Sequence, residues 1–276
     1  KSNYYLFLSN YSNPNFLYNL SLVAENYYFN NDYIRSKKIL KNFNEEDKFY
    51  FWYRKKKEAQ IISKLKGKEE SVKYLSLEFD KISNPNNKMI FDLANFYKNS
   101  KDYKIAISYY TKLIEFYKDS LEIKSDLLYR RGSSYERRGD YQNADKDLLD
   151  SLSINPDDAY VLNYLAYSWL ERNYKISEAI KMLETAYASK NDDPYIIDSI
   201  GWAYYLTNDY KRAEKFMIRA VKLMPDDPIV NDHYGDILWK LDQKIQARYF
   251  WENVLEMDEL EAEMKKKINN KLLEGL

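Results

Sequence analysis

The chain has 276 residues, with 43 Lys and Arg against 43 Asp and Glu, a formal net charge of +0, no Cys and a single His. The absence of thiols excludes thiolate nucleophiles, cysteine zinc sites and disulfides, and leaves the redox compartment undecided. Balanced charge argues against nucleic acid as a partner, since phosphate binders carry a basic excess, and no run approaches the about 18 apolar residues of a membrane helix.

From the N-terminus, Val23, Ala24, Tyr27, Ser36 and Leu40 fit a helical hairpin around the turn Asn31-Asp32-Tyr33. Ala59, Ser71 and Leu75 fit another, with Gly67 in its turn. Inside it runs Arg54-Lys55-Lys56-Lys57. Four successive residues spread around most of a helix, so this run makes no single stripe and reads as a solvated face. Asn84-Pro85-Asn86-Asn87 is the clearest break in this half, a loop between units. Leu93, Ala94, Tyr97, Ala106 and Tyr110 then give a hairpin starting near Asn87, with Lys101-Asp102-Tyr103 as its turn. It ends without proline, and a few extra residues before Ser125 are expected to lengthen its second helix.

Between Ser125 and Glu259 the pattern becomes regular, with a period of about 34 residues. Gly132, Ala166, Gly201 and Gly235 fall on one beat, and Ala144, Ala213 and Ala247 on a second, where paired helices must approach closely. Ala179 comes one place late, which predicts a one-residue insertion in the turn around Asn173-Tyr174-Lys175-Ile176. Asp157-Asp158, Asp192-Asp193 and Asp226-Asp227 precede first helices, where free N–H groups and the positive end of the helix dipole favour acids. Pro156 and Pro225 close two units. At the end, Leu260, Met264, Ile268 and Leu272 recur every four residues within Asp258–Leu276, the pattern of an amphipathic helix covering the last hairpin.

These residues resemble the tetratricopeptide repeat family. The fullest copy is Ile197, Ile200, Gly201, Tyr204, Ala213, Met217, Ala220 and Pro225; the copy before Pro156 departs with Arg131 where Leu is usual, and the last has Glu259 in place of proline. The resemblance implies an all-α, right-handed superhelical solenoid of about seven helical hairpins with a C-terminal capping helix. The expected divisions are degenerate helical repeats over 1–86, a degenerate repeat over 87–124, four well-defined repeats over 125–258 and the capping helix over 259–276. The wording of Asp198-Ser199-Ile200-Gly201-Trp202, Asn231-Asp232-His233-Tyr234-Gly235-Asp236 and Ala247-Arg248 with Trp251 is similar to that of exported or lipoprotein-type proteobacterial members.

In this family the first helix of each hairpin lines a concave groove. The resemblance therefore carries partner binding onto Tyr160, Asn163, Tyr167, Tyr195, Asp198, Trp202, Tyr205, Asp232, Asp236 and Trp239. Amphipathic rings with a few fixed polar groups are what protein interfaces use as anchors. The implied function is a non-catalytic adaptor or scaffold for a protein or extended peptide, basic or neutral with apolar anchors, because three acids stand in the groove. The alternative is a self-assembling structural or regulatory subunit of a bacterial envelope enzyme complex. No cofactor, metal or catalytic residue follows. His233 has no nucleophile placed beside it by sequence, and Asp232, adjacent on a helix, does not face it, so it reads as a helix-surface or interhelical histidine. The opening Lys1-Ser2-Asn3, without Met, and the apolar stretch through Asn15-Phe16 read as a processed or truncated product. The resemblance to exported or lipoprotein-type members implies the periplasm or the periplasmic face of the outer membrane, with the cytoplasm as alternative, and membrane association would come only through a missing N-terminal signal or lipid anchor.

Overall fold

Most turns of this chain end on a side chain that can start a helix. In the computed structural model, Asp32, Asp140 and Asp209 accept hydrogen bonds from backbone N–H groups three residues on, and Asp158, Asp193 and Asp227 each accept two at the start of a first helix. Such caps satisfy donors that the helix itself cannot. Residues 2–14, 16–257 and 260–276 are described. Lys1, Asn15, Asp258 and Glu259 lie outside them, and with them the expectations placed on the first residue, on Asn15, on a helix start at Asp258 and on Glu259 at the proline position.

The described residues form sixteen α-helices, and the chain divides into two compact units, Lys1–Lys118 and Asp119–Leu276. In the first unit α1 (Ser2–Ser12) packs on α2 (Tyr18–Phe29). Three hairpins follow: α2 with α3 (Tyr33–Leu40), α4 (Lys48–Lys66) with α5 (Lys68–Asp80), and α6 (Asn87–Asn99) with α7 (Tyr103–Phe116). The second unit pairs α8 (Leu121–Arg137) with α9 (Tyr141–Ile154), α10 (Ala159–Glu171) with α11 (Ile176–Ser189), α12 (Pro194–Leu206) with α13 (Tyr210–Leu223), and α14 (Pro228–Lys240) with α15 (Lys244–Leu255). The terminal helix α16 (Ala262–Glu274) packs on α15. The chain is an all-α solenoid of paired helices, seven hairpins and a terminal helix among the described residues.

The small residues make the pairing possible. Ala24, Ala59, Ala94 and Ala166 on first helices, and Ser36, Ser71, Ala106, Ala144, Ala179, Ala213 and Ala247 on second helices, are all buried. Ser36 and Ser71 satisfy their hydroxyls by donating to the carbonyls of Ala24 and Ala59, so serine serves there as a slightly larger alanine. At Gly235 even a methyl group has no room, because a Cβ would sit 2.3 Å from Trp251 Nε1. The inserted residue is visible between α10 and α11, where Asn173 and Lys175 both take positive φ, 53° and 44°.

One expectation is corrected. The extra residues before Ser125 do not lengthen α7, which ends at Phe116; they extend the front of α8, which starts at Leu121. Glu122 in that first turn lies where the helix dipole favours an acid.

Arg131 is explained by its partner. Its Nε and Nη2 donate to the two carboxylate oxygens of buried Asp147 at 2.7 and 2.8 Å, a bidentate pair in the place of an apolar contact. The basic run on α4 likewise spreads in all directions, but onto acids rather than solvent. Lys57 reaches Glu25 on α2, Lys55 reaches Glu78 on α5, Lys56 reaches Asp92 on α6, and Arg54 pairs with Glu58 one turn on. The run ties a first helix to its neighbours.

Candidate partner-binding face

In the second unit the first helices α8, α10, α12 and α14 lie in contact in that order. Their shared face carries the residues expected to bind, and those residues fall into an open set and a closed set.

The open set lies on α10 and α12. Tyr160 and Tyr195 are 49% and 62% exposed. Tyr167 is half-buried, and burial, then the neighbouring Glu171 and Asp198 carboxylates, push its phenol well above the ordinary value, so it stays neutral. Tyr205 is also half-buried; burial and then Asp236 raise its phenol. Asn163 is half-buried, and its buried Oδ1 has no hydrogen-bond partner in the chain. Lys190 Nζ lies 5.1 Å from the centre of the Tyr160 ring, a cation–π contact at the edge of this face.

The closed set lies on α12 and α14. Trp202 is only 8% exposed; its ring stacks on Tyr205 at 4.5 Å and on His233 at 3.9 Å, and its Nε1 donates to Glu171 at 2.8 Å. Asp198 meets His233 Nδ1 at 2.9 Å. Asp232 and Asp236 are buried, and both receive Lys271 of α16; Lys267, one turn earlier, adds a bond to Asp232 at 2.9 Å. Trp251 Nε1 donates to the same Asp236 at 3.1 Å. Trp239 packs on Trp251 at 5.3 Å and is covered by Gly275, where a Cβ would lie 2.2 Å from the indole. Gly275 holds φ at +83°, a conformation that a side chain would also resist. Arg248 donates to the Leu272 carbonyl at 2.5 Å and so ties α15 to the end of α16. The three acids expected to face a partner are thus engaged by the chain's own basic groups, two of them on the terminal helix.

Burial opposes a charged His233, but the carboxylates of Asp198, Asp232 and Asp236 outweigh it, and the imidazole pKa stands above its ordinary value. Burial, and then Asp232, raise the Asp236 carboxyl. Lys267 is held above the usual ammonium value because Asp232 outweighs the opposing cost of burial.

Residues 88–120, 125–158 and 196–227 each match the family model described as tetratricopeptide repeat. The chain carries tetratricopeptide repeats over these stretches. Over 111 residues it is 33% identical to a tetratricopeptide repeat-containing protein of Pseudomonas aeruginosa, covering 40% of this chain and 19% of that protein. Over 90 residues it is 28% identical to protein bimA of Emericella nidulans, covering 33% of this chain and 11% of that one. The chain therefore spans less than a fifth of the length of these curated relatives. Among solved structures, a tetratricopeptide repeat protein of Parabacteroides merdae superimposes with a TM-score of 0.69 at 14% identity, covering 91% of this chain and 96% of that one. A thermophilic tetratricopeptide repeat protein of Thermus thermophilus gives 0.59 at 15%, covering 68% and 100%. The pilF protein of Pseudomonas aeruginosa gives 0.52 at 17%, covering 68% and 85%. At these identities the likeness is one of fold.

In this repeat protein the described residues contain no group of three or more His, Cys, Asp and Glu placed to hold a metal ion, and no helix long and apolar enough to cross a membrane. Three residues of the face escaped sequence reasoning: Glu171, Lys267 and Lys271. A signal for the lysines was present, since they stand four apart on the terminal helix, the spacing that puts two side chains on one face.

Proposed function

We propose that the chain is a non-catalytic scaffold that binds a protein or an extended peptide segment on the first-helix face of α10 and α12. The observation that carries this reading is the row of phenol rings left open there, Tyr160 and Tyr195 above all, on a rigid support of paired helices. Tyrosine supplies large contact area at low entropic cost, which is why such rings dominate protein interfaces. Because Asp198, Asp232 and Asp236 are engaged within the chain, the segment that suits this face is neutral, with apolar or aromatic anchors, rather than basic. Asn163 adds one acceptor oxygen that the chain leaves unused.

The test is selection of peptides from a random displayed library against the folded chain, followed by titration of the enriched peptides against Tyr160→Ala/Tyr195→Ala. Both positions are exposed, so the variant keeps its fold, which circular dichroism checks. Enriched peptides should carry aromatic or large apolar residues and bind the variant at least about tenfold more weakly. Equal binding to both proteins moves the site off this face. For the compartment we keep the periplasm or the periplasmic face of the outer membrane, supported only by the resemblance of Asp198–Trp202 and Asn231–Asp236 to exported-type members of the family; fractionation of the native cells decides it against the cytoplasm.

A further inference from the structure

The cluster joining α12, α14 and α16 has three buried carboxylates, Asp198, Asp232 and Asp236, and only two lysines, Lys267 and Lys271. It is one positive charge short, and His233 is the group placed to supply it. Its Nδ1 is 2.9 Å from Asp198 Oδ1, the carboxylate of the three that the lysines do not reach. Its ring lies nearly parallel to Trp202, at 3.9 Å and 12°, and Trp202 in turn stacks on Tyr205 at 15°. We infer that His233, in its protonated form, is the positioning residue that fixes Trp202 and Tyr205 within the binding face, so that one proton sets the geometry of that face.

The carboxylates around the imidazole outweigh burial in favouring its charged form. From α12 it faces Asp198; on its own helix it feels Asp232 and Asp236; from α16 come Lys267 and Lys271, each already spent on those acids. Beyond Trp202 stand Glu171 and Tyr167 of α10, with Arg137 of α8 near the tyrosine. Trp251 of α15 offers only a neutral N–H, to Asp236. With the proton present, every buried carboxylate has a cation. Without it, Asp198 is a buried anion with no counterion, which is costly. The lysines still hold α16, so the loss falls on the joint between α12 and α14, where Trp202 is seated. Asp236, raised by burial and then by Asp232, competes for this proton.

The role in binding rests on the function proposed above, but the experiment needs no partner, so the two can fail separately. The chain has one His, and its imidazole resonances are therefore unambiguous in NMR. In the full chain, His233 should titrate above the midpoint it shows in urea, and the Trp202 indole N–H, assigned by its absence in Trp202→Phe, should move with the same midpoint. Asp198→Asn should lower that midpoint by about one pH unit or more, a tenfold loss of proton affinity. His233→Phe keeps a ring against Trp202 and should abolish the pH response of the indole. A His233 midpoint at or below the unfolded one overturns the inference, as does an indole signal that ignores the titration. The wild-type titration alone reads the His233 midpoint against its value in urea, so the inference can be overturned even where a variant fails to fold.

Discussion

Replacing Lys271 with Met tests whether the terminal helix is seated by charge or only by its apolar side. Met keeps an apolar stem of similar length and removes the ammonium, which serves both Asp232 and Asp236 and lies 5.7 Å from the centre of the Trp251 ring. Breaking one side of a buried ion pair costs ~3–5 kcal/mol, because the remaining charge stays buried. Two features place this site at the low end. Asp232 retains Lys267, and Asp236 retains the Trp251 N–H and can escape by protonation, its carboxyl being raised already by burial and by Asp232. The expected loss is about 3 kcal/mol at pH 7, falling by ~1 kcal/mol or more at pH 5 as Asp236 takes up a proton. Asp236→Asn in the same chain should recover part of it. Because repeat arrays open locally, the readout is amide exchange in α16 together with urea unfolding followed by tryptophan fluorescence. A loss under about 1 kcal/mol at pH 7, or one that does not shrink at pH 5, would show that Ile268 and its apolar neighbours hold the helix and that the lysine bonds add nothing.

Stability of the C-terminal repeats should fall as pH rises above neutrality. His233 is raised, so its contribution is complete below the unfolded value of about 6.5 and is lost as pH climbs through the folded value, by at most ~1.4 kcal/mol per pH unit. Raised Asp236 acts with the same sign from its unfolded value of about 3.9 upward, and urea melts from pH 6 to pH 9 should show the His233 slope. Gly235→Ala should cost ~1–3 kcal/mol, since its Cβ would press into the Trp251 indole, and thermal unfolding should register it. Arg131→Leu restores the usual repeat residue yet should destabilise by ~3 kcal/mol, because Asp147 is left buried and unpaired; Arg131→Leu/Asp147→Leu should return most of that in the same melt.

The fold was legible because its determinants are local and periodic. Alanine or glycine on one beat and alanine on another report helix approach, acids before first helices report caps, and the late Ala179 reported a turn that the structure builds with two left-handed residues. The extra residues before α8 were misplaced because the repeat pattern set the helix start at Ser125 and overrode Glu122, a start signal of its own. The proposed binding face was legible only in part. Tyr160 and Tyr195 are open, as the side-chain period of a first helix predicts, but Asp232 and Asp236 meet lysines 35 and 39 residues away on a helix that the groove pattern leaves out. A pattern confined to first helices cannot see a side chain that arrives from beyond the last repeat.

The same slot, two residues before the small residue of a first helix, joins hairpins to their predecessors with different chemistry. Lys57 fills it against Glu25, Asp92 against Lys56 and the Trp52 N–H, Tyr164 against Glu136, and His233 against Asp198. A carboxylate held low by its lysine partners against the cost of burial, and a phenol pushed up by burial, both keep their protonation state through the pH range in which cells live. An imidazole does not. The repeat geometry therefore sets where a joint can form, while residue choice decides whether one forms and whether it responds to anything. Of these four, only the joint beneath Trp202 rests on an imidazole, and it sits beside Tyr205 of the proposed binding face.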